Sequence, residues 1–191
     1  MAEQVEQQRT RRSFLGLAAG AVTTAMMSLR PDAAAADFEK APARILSFFN
    51  THTGERLSTA YRTGATYQPA ALARIDVILR DFRANQVKPI DPALLDLLHQ
   101  LHKTLRTNEP FHIISGYRAP TTNAMLRERG GADSGVASGS LHTVGKAVDI
   151  RIPGVPLDDL RAAARSLKQG GVGFYPRSNF VHVDTGRVRF W

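Results

Sequence analysis

The chain contains no cysteine. That excludes a disulfide framework, thiolate zinc fingers, iron–sulfur clusters and a cysteine nucleophile, so any metal must be held by histidine and carboxylate. Aromatic residues are sparse at 7%, with a single tryptophan, and acids are outnumbered, 17 Asp+Glu against 25 Lys+Arg. The formal charge of +8 favours anionic surroundings such as nucleic acid, lipid head groups or cell-wall polymer without choosing among them. No internal repeat or domain linker interrupts the body of the chain. What is present is apolar content, 43% of 191 residues, enough for one domain to bury a core, and this excludes a wholly disordered or fibrous chain.

Long hydrophobic runs are missing too. The longest weakly apolar stretch, 14–29, is diluted by Gly16, Gly20, Thr23 and Thr24 and falls short of the roughly 20 apolar residues that span a bilayer. It follows Thr10-Arg11-Arg12-Ser13-Phe14-Leu15 and precedes Ala33-Ala34-Ala35-Ala36. Paired arginines, a modest apolar core and a small-residue cleavage site resemble a twin-arginine (Tat) secretion signal. The expectation is a signal peptide over 1–36, cleaved near Ala36, and a mature domain over 37–191 in the periplasm with no stable membrane anchor. The mature part keeps 21 basic and 14 acidic residues, so the basic character belongs to the folded body. Export argues against nucleic acid as the partner.

In the mature part, the apolar run 45–49, the turn around Gly54 and the run 56–61 read as a strand, a tight turn and a returning strand. Pro69 opens a helical stripe of Leu72, Ile75, Ile78, Leu79 and Phe82, and Asp91-Pro92 opens a second helix carrying Leu94, Leu95, Leu98, Leu101 and Leu105. His99 and His102 on that helix are read as surface histidines, because no carboxylate at a suitable offset completes a ligand pair; His52 and His112 also lack a local constellation. Further on come a strand at 111–115, a short basic helix at 121–129, a loop at 130–140, a strand at 147–152, an amphipathic helix at 157–168, and two or three short strands within 170–191. This is one α+β unit with its chemistry in the second half.

That chemistry lies in Ser140-Leu141-His142-Thr143-Val144-Gly145-Lys146-Ala147-Val148-Asp149. A loop histidine, a turning glycine and an aspartate entering an apolar strand bring an imidazole and a carboxylate to one point, two ligands of a zinc site. In Asn179-Phe180-Val181-His182-Val183-Asp184, strand alternation puts His182 and Asp184 on one face, and His182 is the candidate third ligand. Two histidines and a carboxylate leave the fourth position of a tetrahedral ion open, as catalytic sites do.

Ser140-x-His142-x-x-Gly145-x-Ala147-x-Asp149 with a later strand histidine resembles the zinc peptidase superfamily of D-alanyl-D-alanine carboxypeptidases, VanX-type dipeptidases and Hedgehog domains. Within it the likeness is nearest to the MepK-type murein endopeptidases and their twin-arginine-exported relatives. The likeness takes in Asn50-x-His52-Thr53-Gly54-Glu55, Ile114-Ser115-Gly116-Tyr117-Arg118, Gly170-Gly171-Val172-Gly173-Phe174-Tyr175-Pro176 and Phe180-Val181-His182-Val183-Asp184-Thr185-Gly186. The resemblance implies a Hedgehog/DD-peptidase-like α+β domain with a small, mainly antiparallel sheet. It implies one Zn²⁺ per chain on His142, Asp149 and His182, and a monomer that hydrolyses peptide cross-links of peptidoglycan stems. The MepK-type likeness points to the 3-3 link between two meso-diaminopimelates; the alternatives are a D-alanyl carboxypeptidase or 4-3 endopeptidase, or a zinc-bearing domain that binds cell wall without cutting it.

Arg118 matches the superfamily's substrate-facing arginine, for a peptide carboxylate or the oxyanion, with a structural ion pair as the alternative. Tyr117, Ser140 and Arg177 join it as candidate substrate contacts. The dipeptidases' Glu, three residues before the last ligand, is Asn179 here, and the histidine that other branches place two residues before it is Phe180. Asp184 is the nearest candidate base, against a role in orienting an imidazole. An exchanged assignment, Asp184 as ligand and His182 as base, also stays open.

Overall fold

A computed structural model describes residues 42–130 and 137–191. The expected signal segment 1–36 and most of the loop that follows the basic helix lie outside the described residues. Among the described residues no helix is long and apolar enough to cross a membrane.

The chain runs β1 (Ala43–Asn50), β2 (Arg56–Thr63), β3 (Thr66–Tyr67), α1 (Pro69–Ile78), α2 (Pro92–Leu105), β4 (Phe111–Ser115), α3 (Pro120–Gly130), β5 (Ala147–Arg151), α4 (Leu157–Leu167), β6 (Gly171–Tyr175), β7 (Phe180–Asp184) and β8 (Arg189–Phe190). One mixed sheet holds all eight strands in the order β3-β2-β1-β4-β5-β7-β6-β8. It is mainly antiparallel as expected, but not small: β1 joins β4 in parallel and β8 joins β6 in parallel, so both halves of the chain share one sheet. The core lies between the sheet and the helices, where Leu94, Leu98 and Leu101 of α2 and Ile75 of α1 are buried with Phe48, Phe111, Ile113 and Ile150 from the strands. Asp91 caps α2 by accepting from the Ala93 amide at 2.9 Å, and Pro92 fills the first turn, where no amide donor is needed.

Two readings of the helices are corrected. The stripe from Leu72 to Phe82 does not stay helical, since α1 ends at Ile78. Asp81 turns the chain there: its carboxylate accepts from the Arg83, Ala84 and Ala119 amides at 2.9, 3.2 and 2.8 Å, and Phe82 stacks on His52 with centroids 4.1 Å apart. His102 is not a surface histidine. It is 6% exposed and stacks on Phe111 at 4.1 Å, serving as a core aromatic beneath the sheet. Burial pushes it down to about 4.

Candidate metal centre

Three local devices deliver the functional side chains. In the antiparallel ladder β5–β7, Asp149 is registered directly opposite His182, so both side chains rise from the same face. His142 comes from a 3-10 turn, Leu141–Val144, that closes on Gly145 at φ +70°; a Cβ there would also meet the Pro89 carbonyl at 2.4 Å. The third device is the β4–α3 link, whose Gly116 carbonyl accepts from His142 Nδ1 at 2.8 Å, while the Arg118 amide donates to the His142 carbonyl at 3.2 Å.

His142 Nε2, His182 Nδ1 and Asp149 Oδ1 converge. The separations are 3.1 Å between the imidazoles, and 2.8 Å and 3.2 Å from Asp149 to His182 and His142. All three residues are buried. Because a carbonyl can only accept, His142 Nδ1 carries the proton and its Nε2 turns a lone pair to the centre. The other nitrogen of His182, Nε2, lies 3.0 Å from Asp184 Oδ2 and donates to it. Neutral imidazoles would thus bring two nitrogen lone pairs and a carboxylate oxygen together with nothing positive among them.

The electrostatics point the same way. Burial alone would raise the Asp149 carboxyl, yet the imidazoles, His142 foremost, hold it well below the usual carboxylate range. Burial alone would lower His182, and the carboxylates of Asp149 and Asp184 outweigh that and hold it up. The point between the three ligand atoms attracts positive charge, a proton or a metal ion. Tetrahedral zinc, with bonds of about 2.0–2.2 Å, sets ligand atoms roughly 3.4 Å apart, so this donor set fits it once the pairs open, the shortest of them, 2.8 Å, by roughly 0.6 Å.

Asp184 has a different situation. It is fully buried, and Oδ1 accepts from the Gly171 and Gly186 amides and Arg189 Nη1 at 3.0, 2.8 and 3.1 Å, while Oδ2 accepts from Arg189 Nη2 at 2.7 Å and from His182. It sits behind His182, on the side away from His142 and Asp149. Arg118 faces the centre: its Nη2 is 3.5 Å from Asp149 Oδ2 and 3.2 Å from Ser115 Oγ, its Nη1 is 3.3 Å from Asn123 Oδ1, and its buried Nε has no partner. These are long contacts for a guanidinium, which commonly closes to 2.7–2.9 Å on a carboxylate.

The centre opens into a cleft of about 130 Å³, lined also by Arg118, Ser140, Tyr175, Phe180, Arg189 and Trp191. That volume suits a peptide unit and its near substituents. Ser140 and Arg118, two of the candidate substrate contacts, both line it. Tyr117 is buried in the core and Arg177 lies exposed on the Pro176–Ser178 turn, and neither lines this cleft. Asn179 is exposed at φ +54°, a left-handed turn position that asparagine tolerates. Tyr175 and Phe180 stand in the motifs that carry the family likeness but were not read as cleft residues, and Arg189 and Trp191 were missed because those motifs end at Gly186.

The family model described as peptidoglycan L,D-endopeptidase MepK matches residues 39–191. The chain is 44% identical over 181 residues to peptidoglycan L,D-endopeptidase MepK of Escherichia coli (strain K12), covering 95% of this chain and 96% of that one. The chain belongs to the MepK family. A second MepK relative, the probable peptidoglycan L,D-endopeptidase MepK of Haemophilus influenzae, is 44% identical over 166 residues, covering 86% of this chain and 88% of its own. The matched span takes in the whole centre and its cleft, from the turn at Asn50 to Trp191.

Proposed function

We propose that this MepK-family chain is a zinc-dependent peptidoglycan endopeptidase that hydrolyses the 3-3 cross-link between two meso-diaminopimelates. The observation that carries the reading is the convergence of His142 Nε2, Asp149 Oδ1 and His182 Nδ1 within 3.2 Å of one another around a point that attracts positive charge. The relatives' designation as peptidoglycan L,D-endopeptidases supports it. In this reading residues 1–36 are the twin-arginine signal, residues 37–191 form the periplasmic domain, the protein is a monomer, and the fold is of the Hedgehog/DD-peptidase type.

A bound zinc ion would supply an acidified water and a Lewis acid for the scissile carbonyl. The chain's own residues supply the rest. The Gly116 carbonyl and Asp184 fix the two imidazole tautomers, so that each ligand nitrogen points inward. Asp184, with five contacts of its own, orients His182 instead of taking the proton of the attacking water. Arg118 keeps donors in reserve for a carboxylate beside the scissile bond or for the oxyanion. Arg118→Lys is expected to cut turnover of diaminopimelate-linked dimers more than about tenfold, about 1.4 kcal/mol, with zinc content kept; equal turnover by both forms would remove Arg118 from the substrate.

One observation favours a second reading, a wall-binding domain that does not cut: among the described residues lining the cleft, Asp149 is the sole carboxylate and no third histidine stands by as base. Digestion of purified sacculi, with released muropeptides identified by mass, separates the two. Loss of 3-3 dimers with gain of monomers supports the peptidase. Retention of the protein on intact sacculi without release supports the binder.

A further inference from the structure

We propose that Trp191 determines specificity in the cleft, receiving the apolar methylene arm of the cross-link's acyl-side diamino acid on its indole. The identity of the arm rests on the cross-link reading above; the wall itself rests on geometry.

Trp191 is 47% exposed, so much of its apolar surface is left in water. It is nevertheless held firmly. Its amide donates to the Val172 carbonyl at 3.2 Å, its carbonyl accepts from Phe174 at 3.0 Å, and its Nε1 donates to the Tyr175 hydroxyl at 2.8 Å. Its seat is Gly173, where a Cβ would meet Cε2, Cζ2 and Nε1 at 2.7–2.8 Å, so only glycine lets the ring lie down on β6. There it lines the cleft, with its centroid 5.3 Å from that of His182.

An exposed indole pinned at backbone and tip loses little entropy on binding, and a ligand that covers it gains the burial the fold forgoes. The Arg189 guanidinium lies over the ring, 4.9 Å from its centroid, and is paired with Asp184, while Arg118 lines the same cleft with its Nε donor unpaired. An apolar plate in a cleft that also holds such a cation matches a diamino dicarboxylic acid, which carries a three-carbon arm next to its carboxylates. A D-alanine in the same place offers one methyl. The wall therefore favours a 3-3 link over a 4-3 link by contact area.

Trp191 is the chain's sole tryptophan, so its emission reports on this wall alone. The zinc-loaded protein is titrated with two uncleavable probes, the muropeptide monomer ending in diaminopimelate and the one ending in D-alanine, with calorimetry reading binding independently. The expected result is a saturable shift in emission, with half-saturation at least fivefold lower for the diaminopimelate probe. In turnover, Trp191→Ala is expected to raise KM for the 3-3 dimer about tenfold with kcat within about twofold, and Trp191→Phe to recover most of it. A merely structural role behaves otherwise: phenylalanine cannot donate to Tyr175, so it would restore nothing. Binding of the diaminopimelate probe without any emission change, or an unchanged KM in Trp191→Ala, overturns the proposal. If the unmodified protein cleaves no dimer, the cleavage reading fails on its own, and the emission titration still decides the wall.

Discussion

Asp96 and Asp149 are both acids drawn out of water, one on α2 beside the strands β1 to β3 and the other on the interior strand β5, and their surroundings are opposites. Asp96 on α2 is closed by donors alone: Oδ1 accepts from Arg44 Nη1 and the Tyr61 hydroxyl at 3.0 and 2.7 Å, and Oδ2 from Arg62 Nη1 and the Tyr67 hydroxyl at 2.8 and 2.7 Å. Asp149 has imidazole nitrogens at 2.8 and 3.2 Å and one distant guanidinium. The histidines divide in the same way. His102 is pushed down by the core around it, whereas His182 is held up between two carboxylates. A fold that closes a carboxylate with hydrogen-bond donors has built a joint. One that faces it with further ligand atoms has built a place for a cation.

The strongest test of the contrast is Asp149→Ala. Cleavage should fall by more than about a hundredfold, beyond the 10–100-fold typical of residues that support a metal ligand, and bound zinc should be lost, while the metal-free protein keeps its melting temperature. Metal analysis alongside thermal melting checks this, and His142→Ala and His182→Ala should behave alike. A variant with full activity after rigorous metal removal would break the contrast.

His102 tests the other side of the contrast through pH. The unfolded chain takes up its proton near 6.5, whereas the folded chain waits until about 4. Its neutral burial therefore contributes stability that is complete above about pH 6.5 and is lost as pH falls through that window. The loss should total about 3 kcal/mol. Denaturant unfolding from pH 7 to 4 should show His102→Leu gaining on the unmodified protein by that amount; parallel curves would mean that His102 is hydrated after all.

Asp96→Ala should cost about 2 kcal/mol at neutral pH, because two tyrosine hydroxyls and two arginines lose their acceptor. Zinc content should not change. The smallest effect sharpens the distinction within the site itself: Asp184→Asn leaves all three inner ligands in place and should weaken zinc binding about tenfold, read by competition with a chelator. A loss as large as that of Asp149→Ala would instead make Asp184 a ligand.

Much of this was legible in the chain. The element order follows from its periodicities and from the Asp91-Pro92 cap, and His142, Asp149 and His182 follow from motif spacing and strand alternation, because those are local signals. Pairing across the sheet is not local. That Asp184 is consumed by Arg189 and two amides depends on the parallel docking of β8 beside β6, joining residues that no motif links. The same docking turns Trp191 onto Gly173. His102 was misread because helix spacing alone does not say which neighbour covers a face; Phe111 of β4 does. Phe82 fits the helical stripe numerically, yet the three amides gathered by Asp81 end the helix before it.

The most direct test of the central claim uses purified 3-3 and 4-3 muropeptide dimers and the purified protein, first stripped by a chelator and then given one equivalent of zinc. The account predicts no cleavage by the stripped protein, recovery of 3-3 cleavage at one zinc per chain, and slower or absent cleavage of the 4-3 dimer. Full cleavage by the stripped protein, or no cleavage of either dimer with zinc bound at His142, Asp149 and His182, would contradict it.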